Sequence, residues 1–145
     1  MKIRVVATAV ASIGLALFTA TPANAHAYDH KDPYSKGCGN SARAVRSAPI
    51  KSVANGQVGT VKLMWSSKCK TNWTEITTAS SVRGTVTVYT DRGYDRFSFK
   101  PGNGGRHWGN MMYAPGICAH AVTHVSWGGG NGGQNGSGAT RKACG

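Results

Sequence analysis

The chain has 145 residues and carries 17 lysines and arginines against 5 aspartates and glutamates, a formal net charge of +12. This length suits one domain rather than several. The positive charge favours association with anionic partners, but by itself it defines no binding site.

The N-terminal segment has the pattern of a signal peptide. Lys2 and Arg4 precede an apolar run over residues 5–20, and the small residues Ala23-Asn24-Ala25 follow. A membrane anchor is the alternative, but a span needs about 20 apolar residues and this run is shorter. We therefore expect residues 1–25 to be cleaved and the mature chain to be secreted, without a transmembrane segment.

The predicted mature domain covers residues 26–145. Lys2 and Arg4 leave with the signal peptide, so fifteen basic and five acidic residues remain, a net charge of +10. Its first part, residues 26–40, has turn composition, including Asp32-Pro33. Asp29 and Asp32 fit turn formation and charge pairing better than a metal site. Residues 41–50 could form a short helical turn or an extended arm, and the sequence leaves both open.

A strand, a turn and a second strand are predicted over residues 56–76. Val61, Leu63 and Trp65 alternate with Lys62 and Met64, the period expected of a half-buried strand. After a polar turn and Cys69, apolar character returns at Trp73 and Ile76. Alternation predicts that both tryptophans lie in the core.

The C-terminal half repeats the same kind of pattern. Further strands are predicted over residues 82–90, 94–100 and 117–125, with residues 108–113 packed over one end of a sheet. Residues 128–139 are rich in glycine and are expected to form a flexible loop. The fold class is therefore all-β, a small disulfide-stapled β-sandwich or barrel with Gly-rich loops.

An even number of cysteines in an exported chain indicates disulfides. Four cysteines allow three connectivities, which sequence alone does not resolve. Pairing of neighbours along the chain is favoured, as two bridges that staple the two halves of the domain: Cys38 with Cys69, and Cys118 with Cys144. No C-x-x-C spacing supports a zinc site instead.

Three stretches carry a resemblance to a known family. They are Asp32-Pro33 with Gly37-Cys38, residues 59–63 running into residues 66–69, and Thr71-Asn72-Trp73. Over roughly residues 28–90 the chain resembles the secreted YjfA-like domain-of-unknown-function family of actinobacteria and some bacilli. Family members often carry a further cysteine where this chain has Tyr28, which is a departure. The resemblance implies a small exported β-rich domain and brings no catalytic residues.

No motif in the chain predicts catalysis. His120 and His124 have the H-x-x-x-H spacing of helical zinc sites, but no glutamate follows His120 and the neighbouring residues prefer a strand. A strand would separate the two imidazoles by roughly 13 Å, too far to share an ion. There is no G-x-S-x-G elbow and no glycosidase-like carboxylate pair. We predict no catalytic residues, no metal and no cofactor.

Two functions fit these features. The first is a secreted, non-enzymatic adaptor that binds another secreted protein through an edge strand or its basic face, with residues 26–36 as a free arm. By analogy alone, its complex resembles an antibacterial toxin particle. The second is a cationic effector or inhibitor that binds anionic cell-wall polymer or membrane. No specific nucleic acid is expected. Candidate binding residues for either function are Tyr28, Lys31, Arg43, Arg46, Lys68, Lys70, Arg92, Arg96 and Arg106.

Overall fold

A computed structural model describes residues 26–129 and 134–145. The predicted signal peptide lies outside these residues. The described chain forms ten strands, β1 (Ala42–Ser52), β2 (Gly56–Ser66), β3 (Thr71–Thr78), β4 (Arg83–Thr90), β5 (Gly93–Phe99), β6 (Arg106–Trp108), β7 (Met112–Tyr113), β8 (Cys118–Trp127), β9 (Gln134–Ala139) and β10 (Ala143–Cys144). Its helical segments are two short 3-10 helices, Cys38–Ser41 and Asn103–Gly105. The predicted all-β class is confirmed.

All ten strands belong to one antiparallel sheet. Its order is β5-β4-β8-β9-β1-β2-β3-β6, with β10 added to β8 and β7 added to β3. The sheet curls into a nearly closed barrel, so that β3 packs against β4 and the Thr74 hydroxyl donates to the Thr87 carbonyl at 2.6 Å. No helix of the described residues is long and apolar enough to cross a membrane.

The predicted strand pair over residues 56–76 forms the centre of the sheet. Val61 pairs with Ile76 across β2 and β3, and Leu63 pairs with Thr74. These four side chains are buried and face the interior of the barrel. The two strands meet at a tight turn in which Lys70 has a positive φ of 57°. Alternating apolar residues therefore predicted this hairpin correctly.

A second apolar core lies on the opposite face of β3. Trp73 is 0% exposed and packs with Met111 and the Cys38–Cys69 disulfide beneath residues 26–41. Because successive residues of a strand face opposite sides, Trp73 and Ile76 serve different cores. Every residue of β3 from Thr71 to Ile76 is consequently buried.

Residues 26–36 are not a free arm, and this prediction was wrong. Asp29 is 6% exposed and accepts hydrogen bonds from the backbone N–H groups of Tyr113 and His26, at 2.7 and 2.8 Å. Lys31 forms a backbone bridge with Met111. The segment is therefore bonded into the fold as a layer, which we call the N-terminal layer, and it could thread into a partner only if these bonds broke.

The Gly-rich segment also differs from the prediction. Residues 134–139 form β9, which pairs antiparallel with β8: Val122 pairs with Ala139 at one end and Trp127 with Gln134 at the other. Residues 130–133 lie outside the described chain. A Cβ on Gly138 would come within 2.8 Å of the Pro49 carbonyl oxygen, and one on Gly136 within 3.0 Å of the Lys51 carbonyl oxygen. Glycine here permits close approach of β9 to β1.

Candidate functional site

β1 and β9 are neighbours in the sheet, but they share one residue pair, near the end of β1. For residues 41–50 the sequence left a helical turn and an extended arm open, and residues 42–50 are extended within β1. This strand meets β9 at the Lys51–Ser137 pair. Pro49 lacks an N–H group with which to continue this ladder. Residues 140–142 interrupt the strand between β9 and β10. The edges of β1 and β10 therefore separate toward the start of β1.

The separated strands enclose a cleft of about 350 Å³, which we call the β1–β10 cleft. One wall is formed by residues 43–46 of β1 and the other by residues 143–145. Half-buried and buried side chains of the neighbouring elements line the interior of the cleft: Trp65, Asn72, Ala114 and Ile117. The cleft thus joins the exposed edge of β1 to the open end of the barrel interior.

A β-bulge turns two arginines toward this cleft. The register of β1 against β2 shifts between Ala44 and Arg46, so that Arg43 pairs with Trp65 and Arg46 pairs with Leu63. Paired residues share a face of the sheet. Both arginines therefore lie on the interior face, and they remain exposed because the barrel is open at this point. Arg46 also donates to the Val45 carbonyl at 2.8 Å.

Neither arginine has an acidic partner among the described residues, because all five acidic side chains bond elsewhere. Asp29 pairs with Arg92, Glu75 with Arg106, and Asp95 with His30, each at 2.7 Å. The two remaining carboxylates, of Asp32 and Asp91, accept hydrogen bonds from Trp108 Nε1 and the Cys118 N–H. Among the described residues, neither Arg43 nor Arg46 therefore forms an ion pair with an acidic side chain.

The other predicted binding residues do not converge on one surface. Lys68 and Lys70 are exposed on the β2–β3 turn, and Lys31 is exposed on the N-terminal layer. Tyr28 is half-buried in the second core. Arg96 lies outside the barrel and bonds to Thr87 and Tyr89 on β4. Of the nine candidates, Arg43 and Arg46 are the pair that shares a concave site.

Arg92 and Arg106 instead attach the N-terminal layer to the sheet. Arg106 donates to Glu75 Oε1 at 2.7 Å, and its guanidinium lies 5.0 Å from the ring centres of Tyr34 and Trp108. Burial, followed by a hydrogen bond to Glu75, raises the pKa of Tyr34 to about 12. The Tyr34 hydroxyl thus stays protonated and donates to Glu75. This cluster holds Tyr34 of the N-terminal layer against β3 and β6.

The histidines do not form a reactive group. His120 and His124 lie on the outer face of β8, as expected for a strand, and His120 stacks on Tyr89 with 5.1 Å between ring centres. Burial lowers the pKa of His107, and burial with the charge of Lys142 lowers that of His120. Within the described ranges, no three histidine, cysteine or acidic residues are grouped so that they could hold a metal.

Two disulfides are present, with the connectivity that the sequence favoured. Cys38–Cys69 is buried, since its cysteines are 0% and 3% exposed. Cys118–Cys144 joins β8 to β10, and Cys144 is exposed in the wall of the cleft. The second disulfide therefore holds one wall of the cleft in place.

Mild reduction should open Cys118–Cys144 before Cys38–Cys69, because thiol–disulfide exchange requires access to sulfur. Loss of the exposed bridge should lower the free energy of unfolding by roughly 3 to 4 kcal/mol, since it closes a loop with a separation of 26 residues. Alkylation of new thiols followed by peptide mass spectrometry gives the order of reduction. Simultaneous labelling of Cys38 and Cys144 would contradict it.

These features define a small, disulfide-stapled, barrel-like all-β domain with a cationic cleft. Residues 26–122 match the family described as "Protein of unknown function (DUF2690)", and the chain belongs to this family. It is 36% identical over 77 residues to "Uncharacterized protein YjfA" of Bacillus subtilis (strain 168). That match covers 53% of this chain and spans about half, 49%, of the relative. No solved structure matches.

The resemblance to a YjfA-like family is thereby confirmed. The family match reaches further along the chain than the predicted residues 28–90, because it continues through β4 and β5 into β8. It includes the β1 wall of the cleft and ends before β10. Trp65, Asn72 and Ile117 were not predicted as site residues. The register of β1, β2 and β3 brings Trp65 and Asn72 to the cleft, and Ile117 lines it from the residue before β8.

Proposed function

We propose that the protein is a secreted, non-enzymatic adaptor that holds a partner protein at the β1–β10 cleft. The observation that carries this proposal is the edge of β1 over residues 43–46. This edge pairs with β2 on one side and with no described strand on the other, and it borders a cleft that holds two arginines without an acidic side-chain partner. Strand addition to an exposed sheet edge is a common way to bind an extended peptide, since main-chain hydrogen bonds supply affinity.

The extracellular location is supported by two independent features. The first 25 residues have the charge, apolar run and A-x-A pattern of a signal peptide. The described residues contain two disulfides and no free cysteine. Disulfides persist in oxidising environments outside the cytoplasm.

A second candidate function is binding of an anionic cell-wall polymer or membrane. The net charge of +10 expected for residues 26–145 and the basic side chains on several faces of the sheet favour it. Such binding follows total charge and weakens steeply with salt. Adaptor binding would instead depend on where the charge lies and would persist at high salt, because strand addition also forms backbone hydrogen bonds.

Two charge-reversal double variants separate the candidates. R43E/R46E alters the cleft. The control R83E/K100E makes the same change of charge at two exposed residues elsewhere: Arg83, which pairs with Ser126 at the start of β4, and Lys100, which directly follows β5. Tagged protein is incubated with the producer's culture supernatant and washed at low and high salt. We expect R43E/R46E to reduce the amount of partner protein retained at high salt by about tenfold or more, and the control to retain as much as the unsubstituted protein. Material that is retained at low salt alone, and that both variants reduce equally, would support polyanion binding instead.

A further inference from the structure

We infer that the β1–β10 cleft binds an extended acidic peptide segment whose carboxylates occupy alternate positions. This inference rests on the proposed function, and it specifies the chemistry of the partner at the same site. Its occupant is a segment of another protein rather than a polymer or a lipid.

The backbone of β1 favours an extended ligand. β1 pairs with β2 along its whole length, but on its other side it meets β9 at Lys51 and is open over residues 43–48. β10 is likewise bonded to β8 on one side and borders the cleft on the other. A strand entering the cleft can therefore bond to two backbone edges, and it would extend the sheet where the barrel is incomplete.

The spacing of the arginines selects the positions of the acidic residues. Arg43 and Arg46 pair with Trp65 and Leu63, which are two residues apart on β2, so they lie roughly 7 Å apart on one face. Side chains at alternate positions of an added strand have the same spacing and face the same side. Each arginine can then meet one carboxylate, with which a guanidinium forms paired hydrogen bonds.

The lining of the cleft favours glutamate over a free anion. The indole of Trp65 and the side chain of Ile117 offer apolar surface beside the arginines. The methylene groups of a glutamate can pack there while its carboxylate reaches the guanidinium. Since the chain's own acidic side chains all bond elsewhere, the carboxylates of another segment can meet these arginines without displacing an existing ion pair.

Synthetic heptapeptides test the inference directly. One probe has glutamate at its second, fourth and sixth positions and threonine elsewhere, and a composition-matched isomer has three consecutive glutamates. A third peptide replaces each glutamate of the first with lysine. Calorimetric titration into the whole protein should show one-to-one binding of the alternating peptide, at least about fivefold weaker binding of the isomer, and none of the lysine peptide.

The variants locate the interaction. R43E/R46E should weaken binding of the alternating peptide by at least about tenfold, whereas R83E/K100E should change it less than about threefold. Equal binding of the two glutamate isomers, equal effects of the two variants, or no binding of the alternating peptide would each overturn the inference.

The peptide and supernatant experiments fail independently. If R43E/R46E loses a supernatant protein but no acidic peptide binds, the adaptor function stands and the acidic segment is wrong. If the peptides bind as expected but no supernatant protein is retained, the chemistry of the cleft stands and the adaptor function is wrong.

Discussion

Trp73→Ala should lower the free energy of unfolding by roughly 3 to 5 kcal/mol, the usual cost of truncating a fully buried tryptophan. Trp73 is 0% exposed and lies between β3 and the N-terminal layer, where its ring meets that of Tyr34 edge-on at 6.0 Å. The cavity left behind would border the Cys38–Cys69 disulfide and Met111. Because the disulfide restrains this region, the surrounding side chains can relax only partly.

Trp65→Ala provides the matched control for this substitution. Trp65 is half-buried and lies on the neighbouring strand, on the interior face beside the cleft. Urea unfolding should give a smaller loss of stability for Trp65→Ala than for Trp73→Ala, since the Trp65 side chain buries less apolar area in the folded protein. Binding at the cleft should show the reverse order. Equal stabilities of the two variants would contradict the assignment of Trp73 to a second core.

Asp29→Ala should lower the free energy of unfolding by roughly 2 to 4 kcal/mol, because a buried carboxylate that accepts several hydrogen bonds is lost. Its oxygens bond to the N–H groups of Tyr113 and His26 and to the Arg92 guanidinium. Removal leaves these donors without their acceptor and frees the start of the N-terminal layer. Limited proteolysis should then cleave within residues 26–36, which stay protected in the unsubstituted protein.

The pH dependence of stability gives a second measurement on Asp29. Burial alone would raise the pKa of this carboxyl, but the hydrogen bonds from Tyr113, His26 and Arg92 lower it below its ordinary value of 3.8. The pKa of Asp32 is lowered in the same way, against its burial, by Ser35, Trp108 and Tyr34. A lowered folded pKa contributes stability that is present above pH 3.8 and is lost as the pH falls through the folded pKa.

Urea unfolding between about pH 6 and about pH 3 should therefore show a falling free energy of unfolding at the acid end. Asp29→Ala should show a smaller fall, because the variant lacks the stability that the ionised Asp29 carboxyl contributes. The free energies of unfolding of the variant and of the unsubstituted protein should therefore converge toward the acid end. Asp91→Ala is the control, since Asp91 is exposed. Parallel curves for Asp29→Ala and the unsubstituted protein would contradict the role assigned to Asp29.

Local patterns predicted the centre of the fold. Val61, Leu63 and Trp65 alternate with polar neighbours, and a short polar turn leads to Trp73, so the β2–β3 hairpin could be read from adjacent residues. Strand signals in the second half likewise correspond to β4, β5 and β8. In each case the side chains that determine the strand lie within it.

The cleft could not be predicted in this way, because it depends on register and on distant pairing. Without the bulge, Arg43 and Arg46 would face opposite sides of a strand, and on a helix they would share a solvated face. Asp29 bonds to a residue 84 positions away, so residues 26–36 resemble an ordinary loop in sequence. The glycines of β9 have the composition of a linker, yet they permit close contact with β1.

Amide hydrogen exchange, measured with and without the partner retained at high salt, shows whether that partner binds at the β1–β10 cleft. Protection on binding should be concentrated in residues 43–46 of β1 and in residues 143–145, the two walls of the β1–β10 cleft. R43E/R46E should abolish this protection, while R83E/K100E should retain it. Protection centred on the β2–β3 turn or the N-terminal layer, with the cleft unchanged, would contradict the claim.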